Sequence, residues 1–250
     1  MNLDQKKVVI VGASSGIGAA LAQAFAGKGC TVALVARREA ELVSVSDAIN
    51  RQAGRTLAHP YIGDVTEYDT AGPLLDKIAL DLGGVDVLVY NSGIMPRVQF
   101  GEYSFDKDRA MIEVNLLGAM AWINAAAQRF QVAKSGAIVG ISSIAGDRGR
   151  GSMPGYITSK AALDTYLESI RNRVGRYGVQ VTTIKPGYVA TDLLAGVKTP
   201  IRPAAPEEAA REIVAAVEAG ANVRYVPGFW RWVGMAIKLA PSFVMQRVKF

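Results

Sequence analysis

Short runs of apolar, mostly β-branched residues alternate with longer segments of helical periodicity. Strands buried on both sides read as continuous apolar runs rather than as alternating patterns. The seven runs are KKVVIVG (6–12), TVALVA (31–36), TLAHPYI (56–62), VDVLVY (85–90), GAIVGIS (136–142), VQVTTIK (179–185) and VRYVP (223–227). Helical patterns lie between them at 16–28, 39–53, 67–82, 106–133, 156–177 and 206–219. This order predicts an α/β fold with a doubly wound parallel sheet and helices on both faces.

Length and composition favour one domain spanning residues 1–250. Half of the residues are hydrophobic, and the chain has no Gly/Ser linker, low-complexity tract or internal repeat. Cys30 is the only cysteine and cannot form an internal disulfide, so nothing indicates an oxidising compartment. No signal-peptide core follows the first lysines, and no apolar run of about 18 residues occurs. A cytoplasmic protein is therefore expected.

The positive charge is concentrated near the end of the sequence. The formal net charge is +6, and residues 221–250 contain five basic residues and no acidic one. The other residues are almost balanced, so a general nucleic-acid-binding surface is not expected. The single histidine, His59, cannot form a metal cluster, so no metal site is predicted.

The segment VGASSGIG (11–18) joins the first apolar run to the first helical pattern. Glycines at such a junction permit a tight turn, a close approach of backbone to ligand, and close helix packing. The helix N-terminus offers unpaired N–H groups, which suit a pyrophosphate. An ordinary glycine-rich turn is the alternative, but a strand-to-helix junction is the context that a dinucleotide requires. The predicted Rossmann-type binding residues are Gly12, Ser14, Ser15, Gly16, Ile17 and Gly18.

The second apolar run ends in a basic pair. A dinucleotide with a free ribose 2′-hydroxyl is normally held by an acidic residue at this strand end. Here Ala36 is followed by Arg37 and Arg38. A guanidinium matches a phosphate in charge and geometry, so NADP(H) is favoured over NAD(H), with Arg37 as the first choice for the contact. The alternative is a solvated basic pair at a helix start.

Tyr156 and Lys160 stand four residues apart in the segment YITSK. Four residues are about one helical turn, so the two side chains would share a helix face. A phenol beside an ammonium is either a buried hydrogen bond or an acid–base pair, and the spacing alone leaves both open.

Together these motifs resemble the short-chain dehydrogenase/reductase family over residues 6 to about 227. The matching elements, in family order, are GASSGIG (12–18), GDV (63–65), NSG (91–93), VN (114–115), ISSIAG (141–146), YITSK (156–160) and PGYVATD (186–192). The resemblance implies an NAD(P)-dependent oxidoreductase that binds a small-molecule substrate and forms a homodimer or homotetramer.

The resemblance also implies four catalytic residues. Tyr156 would donate a proton to a carbonyl oxygen, and Lys160 would lower the pKa of Tyr156 and hydrogen-bond the nicotinamide ribose. Ser143 would steady the substrate oxygen, and Asn115 would hold a water relay to Lys160. This set is intact in the sequence.

Further cofactor contacts are implied in three loops: Asp64 and Val65 in the adenine pocket, Asn91 and Gly93 beside the adenosine, and Pro186, Gly187, Val189 and Thr191 over the nicotinamide. Two departures from the family pattern occur. Val11 replaces a threonine before the first glycine, and Tyr90 and Ser92 replace an asparagine and an alanine. Altered stability rather than lost chemistry is expected from both.

The substrate wall is expected from residues 94–97, 146–154 and 191–205 together with Tyr188, and the last of these ranges could form a lid. Most of its side chains are apolar, which favours a hydrophobic carbonyl substrate. Three arginines in or near it either meet a negative group or are solvent-exposed: Arg97, Arg148 and Arg150.

The segment FWRWVGMAIKLAPSFVMQRVKF (229–250) interleaves aromatic and aliphatic residues with cations, and Pro241 divides it into two short helical pieces. One interpretation is peripheral contact with the inner membrane surface. The other is packing over the substrate cleft or across a subunit interface. The tail is loosely similar to that of family members that reduce the keto-sugar of polyprenyl-phosphate-linked pentoses.

The sequence therefore predicts an NADPH-dependent oxidoreductase that reduces a ketone or aldehyde reversibly. A membrane-surface reductase of a lipid-linked keto-sugar is the alternative within the family. A non-catalytic, NADPH-sensing scaffold is the alternative from another class.

Overall fold

Seven parallel strands form one sheet in the computed structural model, which describes residues 1–197 and 199–247. Their spatial order is β3-β2-β1-β4-β5-β6-β7. The strands are β1 (Lys7–Val11), β2 (Thr31–Ala36), β3 (Ala58–Ile62), β4 (Val87–Tyr90), β5 (Ala137–Ile141), β6 (Gln180–Pro186) and β7 (Val223–Val226). This sheet confirms the predicted fold class, and each predicted strand exists with its ends shifted by at most two residues.

Helices cover both faces of the sheet. They are α1 (Gly16–Ala26), α2 (Glu39–Ala53), α3 (Ala71–Leu82), α4 (Phe105–Ile112), α5 (Gly118–Ala133), α6 (Pro154–Val174), α7 (Pro206–Glu218), α8 (Trp230–Leu239) and α9 (Ser242–Met245). Alternate residues of each central strand point to opposite faces, so Val8 packs with α1, α2 and α7, and Val9 packs with α3, α5 and α6. Both faces of the sheet are therefore buried, as the continuous apolar runs predict.

The strand order reverses beside β1, because the chain adds β2 and β3 on one side and β4 to β7 on the other. Val8 of β1 pairs with Val32 of β2 and with Val87 of β4. At such a reversal the loops that follow the two central strands leave in opposite directions and open a crevice, where ligands of this architecture bind.

The helix predicted over 106–133 is interrupted by a π-helical turn. Glu113–Leu117 forms this turn between α4 and α5, and it contains Asn115. A π turn inserts one extra residue per turn and frees main-chain groups for other partners. Hydrophobic periodicity does not reveal such an insertion.

Among the described residues, one helical segment is long and apolar enough to cross a membrane, Phe105–Ala133 with a mean hydropathy of 1.3. Its side chains Trp122, Ile123 and Phe130 are buried under the sheet. The segment is a core helix of this fold.

Candidate active site

The glycine loop after β1 has the backbone that a dinucleotide site needs. Gly12 and Gly16 have φ values of +90° and +55°, a region that favours glycine. A Cβ on Gly18 would lie 2.0 Å from the main-chain oxygen of Gly12, so only glycine allows this close turn. The first N–H groups of α1 receive no side-chain cap from Ser15. The loop and the helix N-terminus therefore fit the pyrophosphate of a dinucleotide.

The end of β4 braces this loop. The Asn91 side-chain amide donates a hydrogen bond to the main-chain oxygen of Gly12 at 2.8 Å. Ser92 packs against Gly12 so closely that a Cβ there would lie 2.7 Å from the Ser92 hydroxyl oxygen. The position where the family has alanine thus holds a serine in direct contact with the loop.

The two arginines after β2 have different neighbours. Arg38 donates hydrogen bonds to the hydroxyl oxygens of Ser14 and Ser15 at 2.8 and 2.9 Å. Arg37 pairs with Asp64 at 3.6 Å and is 63% exposed. Arg38, the second choice from the sequence, is therefore the arginine that contacts the glycine loop, while Arg37 pairs with Asp64.

Asp64 is held in place by several groups. Its side-chain oxygen accepts hydrogen bonds from the Thr66 main chain and hydroxyl at 2.9 and 2.8 Å. Burial favours the neutral acid, but these hydrogen bonds and the charge of Arg37 together keep the pKa of Asp64 below its usual value. Asp64 is thus a fixed carboxylate beside the position predicted for the adenine.

Tyr90 and the π turn explain the second departure from the family pattern. The buried Tyr90 hydroxyl donates a hydrogen bond to the main-chain oxygen of Val114 at 2.6 Å. A Cβ on Gly118 would lie 2.6 Å from that hydroxyl and 2.7 Å from the main-chain oxygen of Val65. Tyr90 therefore fills the space beside the turn and satisfies one of its carbonyls.

Asn115 connects three parts of the site. Its side-chain oxygen accepts a hydrogen bond from the main-chain N–H of Ile94 at 2.7 Å. Its side-chain nitrogen donates to the main-chain oxygen of Ile94 and to the Ser159 hydroxyl, each at 3.0 Å. Ser159 in turn donates to the main-chain oxygen of Tyr156 at 2.7 Å. Ser159 was not among the site residues predicted from the sequence. Its position three residues after Tyr156 makes the two residues neighbours on the surface of α6, and this spacing could have indicated it.

Tyr156 lies in the first turns of α6 and is 7% exposed. The Ser143 side chain, just beyond the carboxyl end of β5, lies close enough to the phenol to favour its charged form. Burial raises the pKa of the phenol, while the Ser143 hydrogen bond and the positive charge of Arg150 oppose the rise. The tyrosine and serine that the sequence pairs are thus brought together.

Lys160 lies one turn further along α6 and is 4% exposed. Its ammonium donates a hydrogen bond to the main-chain oxygen of Ile141 at 3.0 Å. Burial lowers the pKa of Lys160 to about 8, and the charge of Asp164 opposes this effect. A Cβ on Gly93 would lie 3.5 Å from the Lys160 nitrogen and 3.4 Å from the side-chain oxygen of Asn115. Gly93 thus leaves room where the lysine and the asparagine face each other.

The expected effect of Lys160 on the pKa of Tyr156 stays a prediction. The Lys160 nitrogen lies 5.8 Å from the centre of the Tyr156 ring. Burial of the ring raises the pKa of Tyr156 and outweighs the opposing contributions, which come from Ser143 and Arg150.

A buried ionic cluster lies behind Ser143 and Lys160, and sequence reasoning missed it. Lys185 of β6 forms ion pairs with Asp147 and, at 2.8 Å, with Asp164. Tyr225 donates a hydrogen bond to Asp147 at 2.9 Å. Although burial opposes it, the two carboxylates raise the pKa of Lys185 to about 12. The signal available in the sequence was Lys185 itself, a charged residue in an apolar run that predicts a buried strand.

The segment after β6 closes the crevice opposite the glycine loop. Pro186 ends β6, and Val189 forms a β-bridge with Ala204. The Thr191 methyl group would lie 3.0 Å from a Cβ on Gly16, and both residues line one cleft. Gly187 lies under the Trp230 ring, which a Cβ would approach within 2.0 Å. This part of the predicted cofactor site is therefore covered by α8.

The predicted substrate wall is largely apolar around Tyr156. Met111, Ala145, Tyr156 and Ile157 form a buried cluster, against which Ile94, Met95, Val98 and Met153 pack. Two of the three candidate arginines bind the protein itself. Arg97 donates to the main-chain oxygen of Ala195 at 2.9 Å, and Arg148 donates to that of Lys238 at 2.8 Å. Arg150 lies close enough to Tyr156 and Tyr188 to interact with them electrostatically.

Comparison with known proteins defines the class to which this fold and site belong. The family model described as short chain dehydrogenase matches residues 6–201. The protein belongs to the short-chain dehydrogenase/reductase family, whose members are oxidoreductases that use a nicotinamide cofactor.

Three similar proteins illustrate the relationship. A cis-4-hydroxycyclohexanecarboxylate dehydrogenase of Sinomonas cyclohexanicum is 33% identical over 202 residues, which cover 79% of each chain. The crystal structure of a short-chain type dehydrogenase/reductase from Mycobacterium marinum has a TM-score of 0.81, 27% identity, and coverage of 89% of this chain and 94% of that chain. The 3-oxoacyl-[acyl-carrier protein] reductase of Brucella melitensis has a TM-score of 0.77, 28% identity, and coverage of 89% of both chains.

Proposed function

We propose that the protein is an NADPH-dependent reductase of a hydrophobic ketone or aldehyde and that it catalyses the reverse alcohol oxidation with NADP. One observation carries the proposal. The side chains of Tyr156 and Ser143 lie together at the carboxyl end of the sheet, in a largely apolar cluster that also approaches Lys160. Such a phenol can transfer a proton to a substrate oxygen next to the crevice where the family binds its nicotinamide.

The protein's own residues would each perform one step. Bound NADPH would supply the hydride to the carbonyl carbon. Ser143 would donate a hydrogen bond to the substrate oxygen, and Tyr156 would give that oxygen its proton, which completes the alcohol. Lys160 would hydrogen-bond the nicotinamide ribose and return a proton toward Tyr156. Asn115 is hydrogen-bonded to Ile94 in the loop after β4 and to Ser159 of α6. It would hold this loop and α6 at the distance that proton transfer from Tyr156 requires.

The substrate class follows from the wall of the pocket. Apart from Ser143 and Arg150, the side chains that pack with Tyr156 are aliphatic or thioether groups, which favour an apolar carbonyl compound. The relative named as a hydroxycyclohexanecarboxylate dehydrogenase and the neighbour named as a 3-oxoacyl reductase support a secondary alcohol and its ketone as the reacting pair. The homodimer or homotetramer and the cytoplasmic location stay predictions.

The activity is tested by following the absorbance of NADPH and NADH with ketones and aldehydes of increasing hydrophobicity. We expect turnover that rises with substrate hydrophobicity and is faster with NADPH. Binding of NADPH without turnover of any substrate would contradict a reductase of simple carbonyl compounds. Faster turnover with NADH would contradict the role of the basic pair.

Single variants of the basic pair measure that role. Arg37→Ala and Arg38→Ala should each raise KM for NADPH about 10- to 100-fold, because each removes charge-assisted hydrogen bonds to the 2′-phosphate. KM for NADH should change less than about threefold, since that cofactor has no phosphate there. Arg51→Ala, an exposed arginine at the far end of α2, is the control. Equal losses for NADPH and NADH would show that the arginines support only the loop.

A further inference from the structure

The helix α8 has two sides with different roles. Its inner side packs on the active-site segments. Trp230 is 4% exposed and lies over Gly187, in edge-to-face contact with Tyr188 at 5.1 Å between ring centres. A Cβ on Gly234 would lie 2.6 Å from a side-chain oxygen of Asp147, in the segment that follows Ser143. The helix is therefore fixed to both walls of the site.

The other side of α8 is exposed and apolar. We call this surface the outer face, and it consists of Phe229, Trp232, Met235 and Leu239, continued by Phe243 of α9. Their exposures are 47%, 64%, 43%, 75% and 60%. Positions 232, 235 and 239 recur at helical spacing, so these side chains form a continuous stripe. Contiguous exposed apolar residues of this kind mark an interaction surface rather than chance exposure.

Cations border the outer face. Arg231 and Lys238 are separated by two turns of α8 and lie along one edge of the stripe, and Arg247 follows α9. Within residues 1–197 and 199–247, none of the ion pairs involves these three cations. The sequence has no acidic residue from 221 to 250. The border of the outer face therefore carries positive charge that no described ion pair neutralises.

We infer that the outer face binds the surface of an anionic lipid bilayer. An exposed tryptophan beside aliphatic residues suits the boundary between headgroups and acyl chains, and the neighbouring cations attract anionic headgroups. A second copy of this chain fits less well. Two outer faces related by a two-fold axis would bring the cations of both copies together with no carboxylate between them.

This surface would orient the active site toward the bilayer. Because the inner side of α8 covers Gly187 and contacts Tyr188, an outer face on lipid would hold this active-site segment about one helix diameter from the headgroups. Its use to receive an amphiphilic carbonyl substrate rests on the proposed reductase function. The lipid binding itself does not.

Intrinsic fluorescence gives a direct test. The chain has three tryptophans, and Trp122 and Trp230 are 2% and 4% exposed whereas Trp232 is 64% exposed. A shift on lipid binding therefore reports Trp232. The full-length protein, without cofactor or substrate, is titrated with phosphatidylcholine vesicles that contain about one quarter phosphatidylglycerol and with vesicles of phosphatidylcholine alone. We expect a blue shift, quenching by brominated acyl chains, and at least about tenfold tighter binding to the anionic vesicles, weakened by salt.

Co-sedimentation of variants completes the test. The double variant Trp232→Ser/Leu239→Ser should lose at least about tenfold in vesicle binding, because it removes the two most exposed apolar side chains of the outer face. The control Leu80→Ser/Val132→Ser removes side chains that are 83% and 86% exposed elsewhere on the surface and should bind like the wild type. Circular dichroism checks that each variant is folded.

Three results would overturn the inference. These are absence of a tryptophan shift with anionic vesicles, equal binding by the outer-face variant, and equal loss of binding in the control. Dissociation of an oligomer by the outer-face variant, without vesicle binding by the wild type, would assign the face to a second copy instead. A failed reductase assay would leave the vesicle result unchanged, so the two proposals fail separately.

Discussion

Tyr156→Phe is expected to lower kcat by about 10²- to 10⁴-fold while the protein still folds and binds NADPH. The substitution removes only the hydroxyl, so the ring keeps its packing against Met111 and Ile157. The loss should appear in kcat rather than in the Kd for NADPH, because the hydroxyl acts on the substrate oxygen during proton transfer. Steady-state kinetics and calorimetric titration with NADPH measure the two effects.

Tyr103→Phe is the matched control, since its ring is 98% exposed and the same atom is removed. It should leave kcat unchanged. A Tyr156→Phe variant with near wild-type kcat would exclude Tyr156 as the proton donor. Full cellular function of that variant despite lost turnover would favour the alternative of an NADPH-sensing scaffold.

The fold was predictable because its signals are local. Residues 8–11 and 87–90 are continuously apolar because helices cover both sides of their strands, so the sequence pattern reports this burial directly. The glycine loop was predictable for a similar reason, because Gly12 and Gly18 are needed by the backbone itself.

The neighbours of the site residues were not predictable, because they depend on contacts between distant segments. The spacing of Tyr156 and Lys160 placed both on α6, but it gave no indication that Lys160 would bond to the main chain of Ile141. The π turn around Asn115 accepts a hydrogen bond from Tyr90, which is 24 residues away in the sequence. The family pattern indicated Asn115, Tyr156 and Lys160, but it did not indicate the contacts that fix their side chains.

The contacts of the C-terminal segment 229–250 were not predictable either. Its composition predicted two short helices divided by Pro241, and α8 and α9 confirm them. Composition could not tell which side of α8 would be buried, because apolar residues occur on both sides. The buried side is selected by Gly187 and Gly234, whose missing side chains let Trp230 and the helix backbone approach the sheet. The last three residues of the predicted tail, 248–250, lie outside the described part of the chain.

Lys185→Met is expected to destabilise the folded protein by about 3–5 kcal/mol at neutral pH. The Lys185 side chain is 12% exposed, and its partners Asp147 and Asp164 are 1% and 16% exposed. Methionine would fill most of the space but would leave two buried carboxylates without their cation. Urea unfolding followed by circular dichroism measures the change.

Lys77→Met is the matched control, because it breaks an ion pair of similar length, 2.7 Å to Asp81, in which the lysine is 62% exposed. It should change the free energy of unfolding far less than Lys185→Met does, because water already screens this exposed pair. A second substitution, Asp164→Asn, should restore part of the stability of Lys185→Met, because it removes one of the unpaired charges. Strict additivity of the two substitutions would show that they do not act through their ionic contact.

The pH dependence of the stability loss in Lys185→Met distinguishes the contribution of the Lys185 charge from that of its packing. The folded-state pKa of Lys185 is raised to about 12, so its contribution to stability is fully present below the pKa of an unfolded lysine, about 10.4. Burial raises the pKa of Asp164 above its usual value even with Lys185 present. In Lys185→Met, acid should neutralise Asp164 more readily still, and the difference from the wild type should narrow as the pH falls toward about 4. A difference that stayed constant over this range would mean that the lysine stem stabilises the fold through its packing, and that the cluster's charges contribute nothing.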